Sequence, residues 1–218
     1  MFKLKYLLFI IIMAFAVSSV LYTFDEDSEV SIGVKRKKTV YGSVLSLFLY
    51  DKPSGRFAKL NTNDVVKTGQ RFTISVKNSG NGYVYVLSID PDNTLYAIFP
   101  DEEYSKNSFR KKVGLTLPVS DEDETAFYQF DDNKGKEIYY IFVSRDPMKP
   151  LEKLMRKIPE DGLDLSEDTR ISKKLGKLYR RGKKNILSRR PRKFKDNSSP
   201  WNIFFRKYYA KRYVFDHQ

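Results

Sequence analysis

Cysteine is absent from the 218 residues, and histidine and tryptophan occur once each. Without cysteine there is no disulfide, no thiolate nucleophile and no thiolate-bound zinc. A lipid-anchored lipoprotein, which needs a cysteine after its apolar leader, is excluded for the same reason. The one histidine, His217, is the penultimate residue. A Ser-His-Asp triad or a histidine-based metal site needs a rigidly held imidazole, which a fraying terminus seldom provides. P-loop, Gly-x-Ser-x-Gly and His-Glu-x-x-His patterns are missing. No period of 20–50 residues recurs, so a repeat architecture is not expected. The chain is therefore read as a non-enzyme, with no cofactor and no metal expected. Aromatic residues make up 15% of it, which argues for a folded chain.

What is abundant is positive charge, and it is unevenly placed. The formal net charge is +13. Residues 1–30 sum to −2, 31–68 to +6 and 69–147 to −4, while 148–218 hold 21 basic and 8 acidic side chains. A mildly acidic middle thus gives way to a strongly basic last third, with a boundary near Pro147 and Pro150.

The N-terminus has the pattern of an export signal. Lys3 and Lys5 precede 19 uncharged residues at 6–24, a positive segment followed by an apolar one. Ala14-Phe15-Ala16 offers the small-x-small spacing of signal peptidase sites, and Val17-Ser18-Ser19 offers another. An uncleaved anchor is the alternative, because about 17–25 apolar residues can span a bilayer. Lys3 and Lys5 on one side, and Asp25, Glu26 and Asp27 on the other, orient either version with the body outside the cytoplasm.

The middle reads as antiparallel β structure. Residues 40–50 are rich in β-branched and aromatic types, and 72–76 alternate cleanly, so one face is buried. Residues 83–89 are apolar at nearly every position, as in a central strand covered on both faces, which makes Tyr85, Leu87 and Ile89 core candidates. Runs at 95–99 and 138–143 complete the set. Turn residues separate them at 78–82, at Asp90-Pro91-Asp92-Asn93 and at 131–135. The expected fold is mainly β, a small antiparallel sandwich or partly open barrel, followed by a basic α-helical C-terminal region. The chain divides into a signal peptide or anchor at 1–24, a linker at 25–37, a β domain at 38–147 and a basic helical extension at 148–218.

Within the β stretch, Gly69, the strand at 72–76, Asn81-Gly82-Tyr83-Val84-Tyr85-Val86, Asp90, Leu95 and Phe99-Pro100 follow a recognisable order. Asn107, Leu117-Pro118, Gly135 and Ser144 continue it. In this order the segment resembles the bacterial family called domain of unknown function 4384. The resemblance implies a non-catalytic β accessory module without an agreed ligand, often placed behind an export signal or beside caspase-like peptidase and kinase modules. No caspase-like or kinase signature occurs here, so a stand-alone exported version is expected. The resemblance supplies no catalytic residues, and the basic last third lies outside it.

Few constellations point to chemistry. Asp90, Asp92 and Thr94, with Asp101, Glu102 and Glu103 behind them, carry oxygen ligands, but an EF-hand loop needs Gly where Leu95 stands and Glu where Asp101 stands. A solvated hairpin turn is the simpler reading, and a solvated loop that for the acidic run 121–124. A glycosidase-like carboxylate pair has only such turn residues to draw on. Lys35-Arg36-Lys37-Lys38 reads as a solvated linker able to touch anionic headgroups. Tyr83 and Tyr85 share a strand face, which fits cross-strand packing better than a ligand site.

In the last third, Leu151, Leu154, Met155 and Ile158 follow a helical spacing after Pro150, and Asp164 with Glu167 reads as an N-terminal cap. Ile171, Leu175, Leu178 and Tyr179 form a second stripe. A third helix is expected from Pro200, with Trp201, Phe204, Phe205 and Tyr208 on one face. These stripes would pack on the β domain, or serve as a basic aromatic surface for an interface. The candidate contacts to a polyanion are Arg180, Arg181, Lys183, Lys184, Arg189, Arg190, Arg192, Lys193 and Lys195, with Trp201, Phe204 and Phe205 as apolar anchors. The expected partner is an envelope protein or an anionic membrane surface. Nucleic-acid binding through the tail fits the same residues, but an export signal puts the tail in the wrong compartment. A carboxylate-based hydrolase is the third alternative and would need an acidic pair in a cleft.

Overall fold

The computed structural model describes residues 39–100, 107–110, 114–119, 126–195 and 200–218, with the backbone alone at 194. The leader, the basic run 35–38 and the acidic runs 101–103 and 121–124 lie outside the described residues. Among the described residues no helix is long and apolar enough to cross a membrane.

Thirteen strands and two helices follow in the order β1 (Tyr41–Asp51), β2 (Arg56–Leu60), β3 (Val65–Val66), β4 (Arg71–Asn78), β5 (Gly82–Ile89), β6 (Thr94–Phe99), β7 (Ser108–Phe109), β8 (Leu115–Leu117), β9 (Tyr128–Gln129), β10 (Gly135–Ser144), α1 (Lys149–Met155), β11 (Leu163–Asp164), α2 (Thr169–Lys184), β12 (Ile203–Phe205) and β13 (Tyr208–His217) among the described residues. The five strands expected from alternation and apolar runs are β1, β4, β5, β6 and β10. They form the centre of two packed sheets, an open sandwich. One sheet has the order β12-β1-β4-β8, with β2 also on β1 and β9 on β4. The other has the order β11-β6-β5-β10-β13-β3, with β7 on β5. Pairing is antiparallel throughout except for β13 with β3.

Period-two alternation explains the layering. Phe72, Ile74 and Val76 of β4 face Val84 and Val86 of β5 and Tyr139, Ile141 and Val143 of β10 across the sandwich. The opposite face of β5 and β10 presents Tyr85, Leu87 and Phe142 to Leu151 and Leu154 of α1 and to Ile171, Leu175 and Leu178 of α2. This is why residues 83–89 are apolar at every second position on both sides: sheet covers one face and helices the other. Tyr85 is part of that helix-facing core. Its hydroxyl donates to Glu152 Oε1 at 2.7 Å and accepts from the backbone N–H of Met148 at 2.8 Å, and burial pushes the phenol well above its ordinary value.

The last third differs from expectation in three respects. The expected helix after Pro200 is a pair of strands, and Ile203, Phe204 and Phe205 complete the edge of the first sheet against β1. β13 then pairs with β10 along ten residues, from Gly135 opposite His217 to Ser144 opposite Tyr208. It is therefore an inner strand of the second sheet, not an appended segment, and Lys38–Gln218 forms one compact unit with no boundary at 147. The aromatic spacing at 201–208 imitates a helix, but Ile, Phe and Tyr suit a pleated surface better, and β1 and β10 supply the partner ladders. The cap of α2 also lies four residues later than expected: Asp168, not Asp164, accepts from the N–H groups of Arg170 and Ile171, at 3.0 and 3.1 Å. Finally, the C-terminus does not fray. Gln218 donates its N–H to Val66 O at 3.0 Å, and His217 is buried.

Two glycines of α2 show how tightly the helix lies on β13. A Cβ on Gly182 would stand 2.7 Å from Ala210 Cβ and 2.8 Å from the Ala210 backbone N. At Gly176 the nearest atom is the far end of Arg180, 3.7 Å away. The same substitution is therefore expected to have opposite signs. Gly176→Ala should stabilise by about 0.5–1 kcal/mol through helix propensity, whereas Gly182→Ala should destabilise by about 1–3 kcal/mol through overpacking. Urea titration of the two variants checks this.

Candidate functional site: a basic groove beside the C-terminal end of the second helix

Asp168 starts α2, and the stripe Ile171, Leu175, Leu178 and Gly182 lays one side of it on the second sheet. The opposite side is left to Lys173, Lys174, Lys177, Arg180, Arg181, Lys183 and Lys184, all of them exposed or nearly so. Three of these, Arg181, Lys183 and Lys184, fall in the last turn, where cations complement the negative end of the helix dipole.

Because Gly182 permits contact with Tyr208 and Ala210, the last turn of α2 comes down beside the point where the chain crosses from β12 to β13. That crossing consists of Arg206 and Lys207, and Arg145 at the end of β10 donates its backbone N–H to Lys207 O at 3.0 Å. The result is an open groove of about 820 Å³. Its floor includes Met148, Leu178 and Tyr208, and its rim carries Arg145, Arg181, Lys184, Arg206 and Lys207 around a single carboxylate, Asp146. Arg145 and Asp146 pair at 3.6 Å, both well exposed, a contact worth little. Among the described residues the other four cations form no ion pair. The Tyr208 hydroxyl donates to Leu178 O at 3.2 Å. Burial raises its phenol, and the nearby Arg181 charge partly offsets that.

The structure sorts the nine basic residues expected to contact a polyanion. Arg181 and Lys184 line the groove, with Arg180 and Lys183 exposed on the same last turns of α2. The remaining five follow the helix along the edge of the first sheet, where Leu187 donates to Phe204 O at 2.7 Å. There Arg190 donates to Trp201 O and lies 5.8 Å from the centre of the Phe204 ring, and Lys193 reaches Val40 O. Arg189, Arg192 and Lys195 are exposed. Arg145, Arg206 and Lys207 belong to the groove although sequence reasoning did not single them out. Arg145 stands 39 positions before Lys184, and Arg206 and Lys207 stand 22 and 23 positions after it, so only tertiary contacts bring them together.

The expected apolar anchors are corrected. Phe204 and Phe205 are core residues, the latter fully buried. Trp201 lies over Gly42, where a Cβ would meet its ring atom Cγ at 2.6 Å. None of the three forms an exposed aromatic surface. The acidic turn residues are likewise occupied: Asp90 accepts from the Thr94 N–H and the Tyr96 hydroxyl, and Asp92 from the Asn133 side chain. The hairpin-turn reading holds for them.

A helix-backed β-sandwich with a cationic groove is thus the class of molecule in hand. The family model of the domain of unknown function DUF4384 matches residues 65–147, the stretch whose order of short motifs resembles that family. It runs from β3 to just past β10. It therefore contains parts of both sheets but lacks β1, β12 and β13, and most of the groove lining lies outside it. No curated protein and no solved structure matches the chain.

Proposed function

We propose that this protein is an exported or membrane-tethered module that acts by binding, and that it docks on a polyanionic envelope surface through the groove between α2 and the β12–β13 crossing. One observation supports this above others: five cations surround one carboxylate, and four of them have no ion pair among the described residues. Gathering like charges raises the energy of the free protein and is relieved by an anionic partner. The export half of the reading rests on Lys3, Lys5 and the uncharged run behind them. An anionic membrane is favoured over an acidic protein because the groove is open and its apolar floor can accept acyl or headgroup carbon.

The test uses the full chain and vesicles containing phosphatidylglycerol. Each basic residue near an anionic surface contributes about 1 kcal/mol, so Arg181→Ala combined with Lys184→Ala is expected to weaken binding roughly 30-fold. Both residues are exposed, so the melting temperature should change little, the lost helix-dipole contribution being offset by relief of the cation repulsion. Screening over a Debye length of ~8 Å at physiological salt means that binding should also fall as salt rises. Equal binding by the double variant, or binding insensitive to salt, overturns the proposal.

A further inference from the structure

The sole histidine is buried at the rim of the inter-sheet core, 2% exposed, beside Glu137 at 8%. Residues 213, 215 and 217 of β13 point to that core, as do 137, 139 and 141 of β10. In register His217 lies opposite Gly135 and Glu137 opposite Phe215. The imidazole and the carboxylate are therefore diagonal neighbours on one face, with no side chain at the position facing the ring.

The polar atoms have an unusual distribution. His217 Nε2 is 3.2 Å from Thr68 Oγ1. His217 Nδ1 is fully buried and pairs with Glu137 Oε1 at 2.9 Å, without the alignment of a well-formed hydrogen bond. The other carboxylate oxygen, Glu137 Oε2, accepts from the Tyr139 hydroxyl at 2.9 Å. Asp131, in the turn before β10, closes the group: one imidazole nitrogen and one oxygen from each carboxylate lie within 4.8 Å of one another. Asp131 is exposed, so the cluster has an open side.

If Thr68 accepts the Nε2–H, the Nδ1 lone pair faces a carboxylate oxygen at contact distance. In a buried setting that arrangement is repulsive unless a proton or a metal cation lies between them. Two donors bound to one tetrahedral cation at about 2.1 Å stand about 3.4 Å apart, so the Glu137 carboxylate would draw back by roughly 0.5 Å to admit the ion.

We propose that Asp131, Glu137 and His217 form a divalent-cation site, with His217 binding through Nδ1. One imidazole and two carboxylates suit a first-row cation such as Zn²⁺ better than Ca²⁺ or Mg²⁺, which favour all-oxygen sets. The supporting contacts are in place, Thr68 on the second imidazole nitrogen and Tyr139 on the second oxygen of Glu137. A bound cation ties β13, β10 and the 131–135 turn together at the end of the ladders that β10 and β3 form with β13.

The single histidine makes the test specific. Full-length protein is titrated with Zn²⁺ while the imidazole nitrogen signals are followed by NMR and the melting temperature is recorded. One equivalent is expected to bind, move the Nδ1 signal, leave the proton on Nε2 and raise the melting temperature by mass action. Asp131→Asn, whose amide oxygen can still accept from the Asn133 N–H, should weaken binding at least about tenfold, and Thr68→Val by about 10–100-fold. His217→Gln should abolish it, and if that variant does not fold, the exposed Asp131 decides. No binding at millimolar Zn²⁺ overturns the site. So does binding that leaves the imidazole signals unmoved or is equally tight in Asp131→Asn. A doubly protonated imidazole indifferent to Zn²⁺ would show a plain ion pair with Glu137 and overturn it equally.

Discussion

A chain ending at Pro147, or one ending at Asn202, is expected to lose its cooperative thermal transition. Both lack Ile203, Phe204, Phe205, Tyr209, Tyr213 and Phe215, six large side chains that are buried. Full burial of such a side chain stabilises by about 1.5–3 kcal/mol, so the loss is of the order of 9–18 kcal/mol. That equals or exceeds the total of about 5–15 kcal/mol that holds a typical domain folded. The cut also leaves β10 without its ten-residue partner and β3 without its only ladder. A long apolar strand exposed in this way is a template for aggregation. Circular dichroism and differential scanning calorimetry of the two shortened chains check the expectation. A cooperative transition in either would mean that residues 39–147 fold without β13.

Phe72→Ala should be the most damaging single substitution in the inter-sheet core. The ring is fully buried on β4 and stacks on Phe130 at 4.8 Å, with Tyr139 of the opposite sheet edge-on at 5.3 Å. Truncation removes the contact that both sheets share and leaves a cavity between aromatic rings that cannot collapse into it. The expected cost is about 3–5 kcal/mol, and at roughly 2–4 °C per kcal/mol for a chain of this size the melting temperature should fall clearly. Phe57→Ala is the control. That ring is tilted against Tyr50 and stacks on Phe127 but is 51% exposed, so its loss should cost no more than about 1 kcal/mol. Similar effects of the two substitutions would mean that the inter-sheet core is not where the stability lies.

The strands β1, β4, β5, β6 and β10 and the helices α1 and α2 were legible from the chain alone, because period two and period 3.6 are local properties of where apolar side chains fall. The family resemblance was legible for the same reason, as an ordered set of short motifs within 65–147. The short strands β2, β3, β7, β8, β9 and β11 were not, since two to five residues carry too little pattern to register. β12 and β13 are the instructive case. Trp201, Phe204, Phe205 and Tyr208 satisfy a helical spacing, and the evidence against a helix is a pair of distant partner strands, β1 for 203–205 and β10 for 208–217. A hydrogen-bonded ladder between distant segments has no local signature, so propensity had to yield to pairing.

Charge behaved in the same way. Composition alone determined that the last third is strongly basic and that one side of α2 is cationic. It could not determine which cations converge, because Arg145, Arg181, Lys184, Arg206 and Lys207 meet only when Gly182 lets α2 settle on β13. His217 shows the converse. Its position next to the chain end predicted a loose imidazole, and pairing with β3 and β10 made it one of the most buried polar groups. Sequence pattern decides which side of an element must leave water. Which other element covers that side, and what polar groups are trapped at its rim, is decided by contacts between residues far apart in the chain.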